Sequence, residues 1–448
     1  MGWLSSCART LARNTVRWWV RFYYPKIEVV NPERIPQSGP VLLAANHPNS
    51  LLDPVIMGIA AQRPVRFMAK APLFEVPVFG SVMRALGMVP AFRGSDDAAQ
   101  VGRNSDSLSA VADVLKNGGA FGIFPEGKTH DAARVEMVRS GASRMAVQAA
   151  QQGVPNLKVV PLGINYERKE KFRSAIWVRV GEPIDATEWL KLQENDANKA
   201  TRRMTSELDK RLKELVVHIN EEQWQPFLSD LEVLLPPPAD MANDAVAPLR
   251  QRKRIADAMN YFLAADRPRA QCAADAITAH QKNLAAEGLT IHSPIVVRSH
   301  WNLFGRLMLD LIWLILFFIP ATIGALHHLL PFLLIRFTAP KIQTPGNTTI
   351  SLAHLGLGIL VYSAWYGFVV WLMLKYEFAT WLICALLIPM PFLGILALEY
   401  GSRARDAAAL WWHEMRLFTR RSALTKLRQD QYALSLIWRR NMRVYVRP

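Results

Sequence analysis

Cysteine is scarce in this sequence, with three residues among 448, and no two of them form a CxxC pair. Cys7, Cys272 and Cys384 therefore suggest neither a disulfide framework nor a zinc site, and a reducing compartment fits them best. Charged residues make up only 20% of the chain, below the usual share of about 25%. Because hydrophobic residues reach 51%, this composition argues against disorder.

The charge that is present is mostly of one sign. Lys and Arg number 53 and Asp and Glu number 37, which gives a formal net charge of +16. This excess favours an anionic partner, which composition alone leaves open between phosphate, nucleic acid and a lipid headgroup. The basic residues cluster beside apolar segments rather than in a known recognition motif, so we expect no nucleic-acid partner.

Long apolar runs are concentrated between residues 303 and 398. Residues 307–335 and 378–398 are each long enough for a span of about 20 residues. Residues 357–374, which include several Trp and Tyr residues, form a third candidate. We therefore expect a transmembrane region over residues 301–400. Pro320 favours a re-entrant hairpin in the first run, with the other two runs as a crossing pair.

The two ends of the chain are basic. Arginine recurs at every fourth position from Arg9 to Arg21, which predicts a basic amphipathic helix over residues 1–26. This helix either lies on an anionic bilayer or packs as an ordinary first helix with a solvated arginine stripe. We expect no secretory signal peptide there. Residues 402–448 hold eleven basic and three acidic residues, which predicts that the tail 401–448 is cytoplasmic. If the N-terminal part is also cytoplasmic, the number of crossings must be even.

Between residues 27 and 185, short apolar runs alternate with helix-like segments, within a domain expected over residues 27–235. This pattern predicts an α/β domain with a mixed, largely parallel sheet flanked by helices. A long charged helix over 187–219 is expected to close it, and a helical linker or cap over 236–300 follows three consecutive prolines. The predicted strands are 41–45, 65–69, 120–124, 157–164 and 175–180.

Three polar clusters fall at the carboxyl ends of predicted strands, where open α/β sheets bind their ligands. In the first, His47 follows strand 41–45 and Asp53 lies two helical turns further on. The carboxylate can fix the imidazole tautomer and make it a general base for a hydroxyl. Alternatively the pair is structural, with His47 a satisfied polar group and Asp53 a helix cap.

The second cluster is the run Phe124-Pro125-Glu126-Gly127 after strand 120–124. A glycine there makes a tight turn whose amides can face a phosphate or an oxyanion, although a plain strand-to-helix turn has the same pattern. The third cluster places Arg93 beside a glycine. This arginine suits bidentate contact with a phosphate, or it is a solvated surface residue.

Taken in this order, the clusters resemble the glycerolipid acyltransferases, the glycerol-3-phosphate and lysophosphatidic acid acyltransferases. The resemblance covers residues 25–185 and includes a Val-Pro pair, here Val160-Pro161. Five residues separate His47 from Asp53, where the commonest family pattern has four. That spacing, together with His130-Asp131 after the turn, is similar to the branch with fungal glycerol-3-phosphate and dihydroxyacetone-phosphate acyltransferases. Phe92 stands where an aspartate commonly precedes the arginine.

The resemblance implies a membrane-bound enzyme of phospholipid biosynthesis that moves a fatty acyl group from acyl-CoA to a hydroxyl of glycerol-3-phosphate or a lysophospholipid. His47 is then the base and Asp53 its orienting partner, with acyl-CoA as co-substrate and neither a metal nor another cofactor. The oligomeric state stays open. The expected acceptor-phosphate residues are Arg93, Glu126, Gly127, Lys70 and Lys128, and the expected oxyanion or pocket-shaping residues are Asn46, Pro125 and Pro161.

The sequence counts against two other classes of protein. A thioesterase or lipase is disfavoured because the sequence has no GxSxG elbow and His47 has no evident Ser or Cys nucleophile to activate. A non-catalytic membrane scaffold or lipid-binding component would carry a degenerate acyltransferase domain. The intact His47, Asp53, Glu126 and Gly127 count against it.

The role of Arg93 can be tested by kinetics. The Arg93→Ala variant should raise the KM for the phosphate-bearing acceptor more than it lowers kcat, because phosphate binding is largely the same in the ground state and the transition state. Steady-state rates over a range of acceptor concentrations measure both constants. An unchanged acceptor KM would remove Arg93 from the phosphate site.

Overall fold

The structure, a computed structural model, divides into two units that are described separately. The first is Met1–Asn220, Ala239–Lys253 and Gln343–Leu352, and the second is Glu221–Pro238, Arg254–Ile342 and Ala353–Pro448. The residues that the structure describes are 2–50, 52–75, 79–85, 88–91, 104–130, 134–241, 244–297, 300–341, 350–417 and 421–445.

An eight-stranded sheet lies at the centre of the described part of the first unit. Its strands are β1 Lys26–Val30, β2 Val41–Ala45, β3 Val65–Lys70, β4 Val89–Ala91, β5 Ala120–Ile123, β6 Lys158–Tyr166, β7 Ala175–Val180 and β8 Ile184–Asp185. The helices of this unit are α1 Gly2–Tyr23, α2 Leu52–Ala61, α3 Phe79–Ala85, α4 Asn104–Lys116, α5 Gly141–Gln151, α6 Ala186–Leu192 and α7 Ala197–Leu215.

The strand order is β1-β7-β6-β2-β5-β3-β4, with β8 paired to β6. All neighbours are parallel except β6–β7 and β6–β8, so the predicted mixed, largely parallel sheet is confirmed. All five predicted strands are present. The sequence reading missed β1, β4 and β8, because β4 and β8 have only three and two residues and β1 mixes charged with apolar positions.

Strand β2 is the buried centre of the sheet and positions the first polar cluster. All five of its residues are buried, and β5 and β6 flank it in parallel. Gly122 on β5 permits close packing, because a Cβ there would lie 2.3 Å from the Phe67 ring and 2.7 Å from Met57 Sδ. Since β2 and β5 are parallel neighbours, the loops after both strands emerge at the same edge.

Helices α4, α5 and α7 cover one face of the sheet with a common apolar core. The predicted single helix over 187–219 is wrong, because the chain forms α6 and α7 with a break between them. Asp185 and Asp196 each cap a new helix by accepting backbone N–H groups. Glu194 and Asn195 in the break both have φ near +59°, a left-handed conformation that ends a helix.

Helix α1 packs on one side only. Arg17 donates a hydrogen bond to the carbonyl of Gly58 on α2 (2.8 Å), and Val20 is buried. Trp18 and Phe22 remain exposed, at 59% and 43%. The arginine stripe is therefore partly engaged by the protein, and the bilayer-surface role of the exposed aromatic side stays a prediction.

The second unit is helical throughout its described secondary structure, apart from short 3-10 turns. Helix α16 (Arg421–Val444) packs against α10 (Arg267–Ala286), with a hydrogen bond from Arg269 to Asn441 Oδ1 (2.6 Å) and one between His280 and Gln431 (3.2 Å). The predicted boundary at residue 400 falls inside α15 (Met390–Leu417). The remaining helices are α8 Gln225–Leu234, α9 Ala247–Ala265, α10 Arg267–Ala286, α11 Pro294–Val297, α12 His300–Thr338, α13 Ile350–Lys375, α14 Thr380–Leu387, α15 Met390–Leu417 and α16 Arg421–Val444.

Within the described residues, three helical segments are long and apolar enough to cross a membrane. They are Leu307–Thr338, Gly356–Lys375 and Thr380–His413, and large apolar side chains are exposed along them. These helices are compatible with integral membrane insertion. The predicted re-entrant hairpin is wrong, because α12 continues through Pro320 and Pro331. A proline removes one backbone donor, and a long apolar helix tolerates that loss.

The imidazole of His218, just beyond α7, gives a pH-dependent contribution to stability. It is buried, and its Nδ1 accepts a hydrogen bond from the Val135 N–H (3.0 Å). Burial lowers the pKa of His218 from its ordinary value of 6.5 to about 4. Between these values the unfolded chain binds a proton that the folded protein does not, so stability should fall as the pH is lowered from 6.5 towards 4.

Thermal unfolding of the detergent-solubilised protein at several pH values measures this effect. The His218→Gln variant keeps a hydrogen-bond acceptor but no longer titrates, so its midpoint should fall less over the same interval. Identical pH dependence in the two proteins would contradict the assignment.

Candidate active site

His47 lies in the loop between β2 and α2 and is paired with Asp53 in the first turn of α2. The distance from His47 Nδ1 to Asp53 Oδ2 is 2.8 Å. An ionised carboxylate only accepts hydrogen bonds, so Nδ1 carries the proton and Nε2 keeps its lone pair. Within the described residues Nε2 makes no hydrogen bond, and the side chain is 16% exposed. The ring therefore has the tautomer that a general base needs.

Three donors surround the Asp53 carboxylate, which is fully buried. His47 Nδ1 and the Asn49 backbone N–H donate to Oδ2, the second at 2.7 Å. The Tyr166 hydroxyl donates to Oδ1 at 2.7 Å. These bonds compensate for the burial of a charge, and they fix the orientation of the carboxylate towards His47.

Tyr166 is a functional candidate that the sequence reading missed. It ends β6, and its burial raises the pKa of its hydroxyl well above the usual value, with the charge of Asp53 adding to the effect. Tyr166 therefore stays protonated and donates to Asp53. The strand was predicted to end at residue 164, two residues too early. The rule that ligand-side residues follow strand ends could have indicated Tyr166 had the boundary been correct.

A stack of aromatic rings fixes the plane of the His47 imidazole. The ring of Phe124 lies parallel to it, with centroids 3.9 Å apart and an interplanar angle of 11°. Phe67 continues the stack at 6.4 Å from Phe124. The imidazole thus has an apolar face against the sheet and a polar edge directed at Asp53.

Glu126 joins the first cluster to the second. Its carboxylate is 1% exposed and accepts the backbone N–H of His47 at Oε1 and that of Glu136 at Oε2, both at 3.1 Å. Oε2 also pairs with His130 Nε2. With both oxygens engaged, Glu126 is better suited to shaping the site than to contacting an acceptor phosphate.

The turn at Gly127 requires glycine and lies under a cation. Gly127 has φ +72°, and its N–H donates to the Phe124 carbonyl (3.0 Å), so this amide is occupied. A Cβ there would lie 3.3 Å from Cδ of Arg139, an exposed residue that the sequence reading did not single out. Lys128 pairs with Glu136 (2.5 Å) and holds the pKa of that carboxyl below its usual range.

The other predicted site residues either make structural contacts or lie, in part or as a whole, outside the described part of the chain. Asn46 exchanges two hydrogen bonds with the backbone of Ile164 (2.7 and 3.0 Å), which ties the end of β2 to β6. The Pro125 carbonyl accepts the Arg139 N–H (2.9 Å), and Pro161 is buried in β6. Lys70 ends β3, but its side chain, like all of Arg93, lies outside the described part.

In chemical terms, the described residues place a base with a free lone pair next to a turn that carries exposed cations. Among these residues, no group of three or more His, Cys, Asp and Glu side chains could hold a metal ion. A serine or cysteine nucleophile is not hydrogen-bonded to His47 in the described part. The site is thus suited to direct proton transfer from a bound hydroxyl.

Comparison with known proteins agrees with this chemistry. Residues 26–165 match the family model described as Acyltransferase. Over 82 residues the chain is 38% identical to glycerol-3-phosphate O-acyltransferase 2 of Saccharomyces cerevisiae, which covers 18% of this chain and 11% of that protein. The predicted resemblance to glycerolipid acyltransferases is confirmed over these residues.

Two further matches cover more of the chain. A plastid protein of Arabidopsis thaliana, 1-acyl-sn-glycerol-3-phosphate acyltransferase, is 30% identical over 148 residues, or 31% of this chain and 40% of that protein. The solved 1-acyl-sn-glycerophosphate acyltransferase of Thermotoga maritima aligns with 46% of this chain and 83% of its own, with a TM-score of 0.33 and 21% identity. The chain spans 11% and 40% of the lengths of the two curated relatives named above.

The positioning role of Tyr166 can be separated from substrate binding. The Tyr166→Phe variant leaves one oxygen of a buried carboxylate without its donor, which should lower kcat by about tenfold. KM for both substrates should change little, because Tyr166 contacts Asp53 rather than a substrate.

A matched control is Tyr432→Phe, which removes an exposed hydroxyl from the second unit. Acyltransferase kinetics on the three proteins, with thermal unfolding to confirm folding, decide the question. An unchanged kcat in Tyr166→Phe, or a loss confined to KM, would contradict the positioning role.

Proposed function

We propose that this protein transfers a fatty acyl group from acyl-CoA to a hydroxyl of glycerol-3-phosphate or a related lysophospholipid in phospholipid biosynthesis. The observation that carries the proposal is the His47–Asp53 pair, whose tautomer leaves Nε2 as a free base. The acyltransferase family match and the names of the curated relatives support the reaction class and this type of acceptor.

In the proposed mechanism, His47 Nε2 takes the proton of the acceptor hydroxyl as the oxygen attacks the thioester carbonyl. The new C–O bond gives a tetrahedral intermediate with a negative oxygen. When the C–S bond breaks, the imidazolium returns its proton to the leaving sulfur, which regenerates neutral His47 and free thiol. Asp53 stabilises the imidazolium throughout, and no acyl-enzyme forms.

The negative charges in this reaction need cations. The Gly127 amide is already bonded to Phe124, which favours a side-chain cation over this amide for the oxyanion. Arg139 and Lys128 lie at the turn and supply positive charge there. Together with the predicted Arg93 and Lys70, they form the proposed environment of the acceptor phosphate, with no metal or further cofactor.

The proposed location is the cytoplasmic face of a membrane, with the catalytic domain and the C-terminal segment on the same side. Long-chain thioesters and their glycerolipid products both favour the bilayer, so tethering shortens their path. Because α16 hydrogen-bonds to α10, the helices before and after the apolar region lie together, which supports one side of the membrane for both. An even number of crossings then follows, so that not all three apolar helices traverse the bilayer completely. The basic charge of residues 402–448 favours the cytoplasm.

The central test is the His47→Ala variant. Removing the base should lower kcat for acyl transfer by roughly a thousandfold, since general-base catalysis contributes about 10²–10⁴-fold. The variant should remain folded and membrane-bound. Turnover is measured with purified membranes, labelled acyl-CoA and a panel of glycerol-phosphate and lysophospholipid acceptors, with mass spectrometry of the products.

The same assay distinguishes the enzyme from a membrane scaffold. Wild-type protein that binds lipid but transfers no acyl group to any acceptor would favour the scaffold. Near wild-type turnover by His47→Ala would instead remove His47 from the mechanism. A useful control is His413→Ala, which changes a histidine far along the chain in α15.

A further inference from the structure

An open cavity of about 530 Å³ lies on the first unit, and none of the steps above uses it. One wall is the segment 134–137, which follows the Gly127 turn in the chain. The other is the carboxyl end of α7 and the residues after it, which contribute Lys213, His218 and Asn220. The volume falls within the range of about 300–1,000 Å³ of pockets that hold small molecules and cofactors.

Positive charge predominates around this cavity. Arg134 and Lys213 line it, and Glu136 is the acid among its lining residues. That carboxylate is paired with Lys128, and Lys213 is paired with Asp209 at 2.6 Å. Among the described lining residues, a guanidinium and an ammonium group thus face the same space. Such a wall favours a phosphate-bearing ligand.

The two walls are held together before any ligand binds. His218 Nδ1 accepts the Val135 N–H at 3.0 Å, which joins the segment 134–137 to the end of α7. His218 is also hydrogen-bonded to Asn220. Because the imidazole is neutral near pH 7, it acts here as an acceptor for the backbone rather than as a third cation on the wall. A preformed wall of this kind lowers the ordering cost of binding.

The cavity is connected to the catalytic base through one side chain. Glu126 accepts the N–H of His47 at one oxygen and the N–H of Glu136, a cavity residue, at the other. A ligand with an anionic end in the cavity and a reacting carbonyl at His47 would join the two places through an extended arm. The volume is much larger than a three-carbon phosphate requires. Met137 is 82% exposed at the cavity and offers a polarizable thioether to a flat ring.

We propose that this cavity binds the phosphate-bearing nucleotide end of the coenzyme A thioester, with Arg134 and Lys213 contacting its phosphates and the acylated arm extending to His47. This inference rests on the proposed acyl transfer and adds to it the site of the donor. A phosphate of the acceptor offers the same chemistry to the two cations. The kinetic test therefore varies donor and acceptor separately.

Removing the two cations should weaken donor binding selectively. Arg134→Ala and Lys213→Ala should each raise KM for acyl-CoA by about tenfold, the effect of losing one charge-assisted hydrogen bond to phosphate. KM for the acceptor and kcat should change less than twofold. The control is Lys191→Ala, which removes an exposed lysine of α6 outside the cavity. Arg134→Lys should recover part of the loss, and thermal unfolding checks that each variant folds.

A truncated donor gives an independent readout. An acyl-pantetheine thioester has the reacting carbonyl and the arm but no nucleotide, so wild type and both cavity variants should use it equally. A larger KM for the acceptor with an unchanged KM for acyl-CoA would overturn the proposal and assign the cavity to the acceptor. Equal loss with acyl-CoA and acyl-pantetheine would also overturn it, because the cations would then act on something other than the nucleotide.

Direct binding separates failure of this site from failure of the proposed reaction. Calorimetry with coenzyme A and with adenosine 3′,5′-bisphosphate requires no turnover, and both should bind wild type and Lys191→Ala more tightly than Arg134→Ala. Binding that depends on Arg134 in a protein without transfer activity would support the nucleotide site and reject the reaction. Active protein whose binding of these probes is indifferent to Arg134 and Lys213 would reject the site alone.

Discussion

A fully buried carboxylate, Asp53, sets the constraint on which the active site depends. A buried charge without partners is costly, so the fold must supply donors around it. Three groups from two parts of the chain supply them: the His47 side chain and the Asn49 backbone in the loop after β2, and Tyr166 at the end of β6. Satisfying one charge therefore fixes the tautomer of His47, the loop after β2 and the end of β6 together. Glu126 acts similarly on the other side of His47, where it holds the loops after β2 and β5 in one arrangement.

The sequence was sufficient for the strands of the sheet centre and for the His47–Asp53 pair, because both leave local signals. Continuous apolar runs mark buried strands, and polar residues at their carboxyl ends mark the site. Tyr166 was missed because its hydrogen bond to Asp53 joins residues 113 positions apart in the sequence. Arg139 was missed because only the folded turn brings its side chain close to Gly127. The break between α6 and α7 had a local signal in Asp185 and Asp196, but the apolar periodicity on both sides concealed it.

The apolar helices illustrate a different limit. Length and hydropathy were enough to locate the three candidate spans, and helical segments long enough to cross a membrane are present at those positions. Proline was a poor guide to where they break, since α12 continues through Pro320 and Pro331 whereas the chain is interrupted between α14 and α15, close to Pro389. One proline removes a single backbone N–H donor, and α12 tolerates that loss at each of its prolines. Pro389 and Pro391 lie within three residues of each other, and a pair this close interrupts a helix more readily. Whether a helix continues through a proline or is interrupted depends on the helices packed around it, and a local sequence pattern does not describe those.

Helix α16 follows the apolar helices in the chain, yet it packs against α10, which precedes them. During synthesis the two partners leave the ribosome far apart in time, with all the apolar helices emerging between them. The contact between α10 and α16 can therefore form only after residues 421–444 have been synthesised, later than every apolar helix.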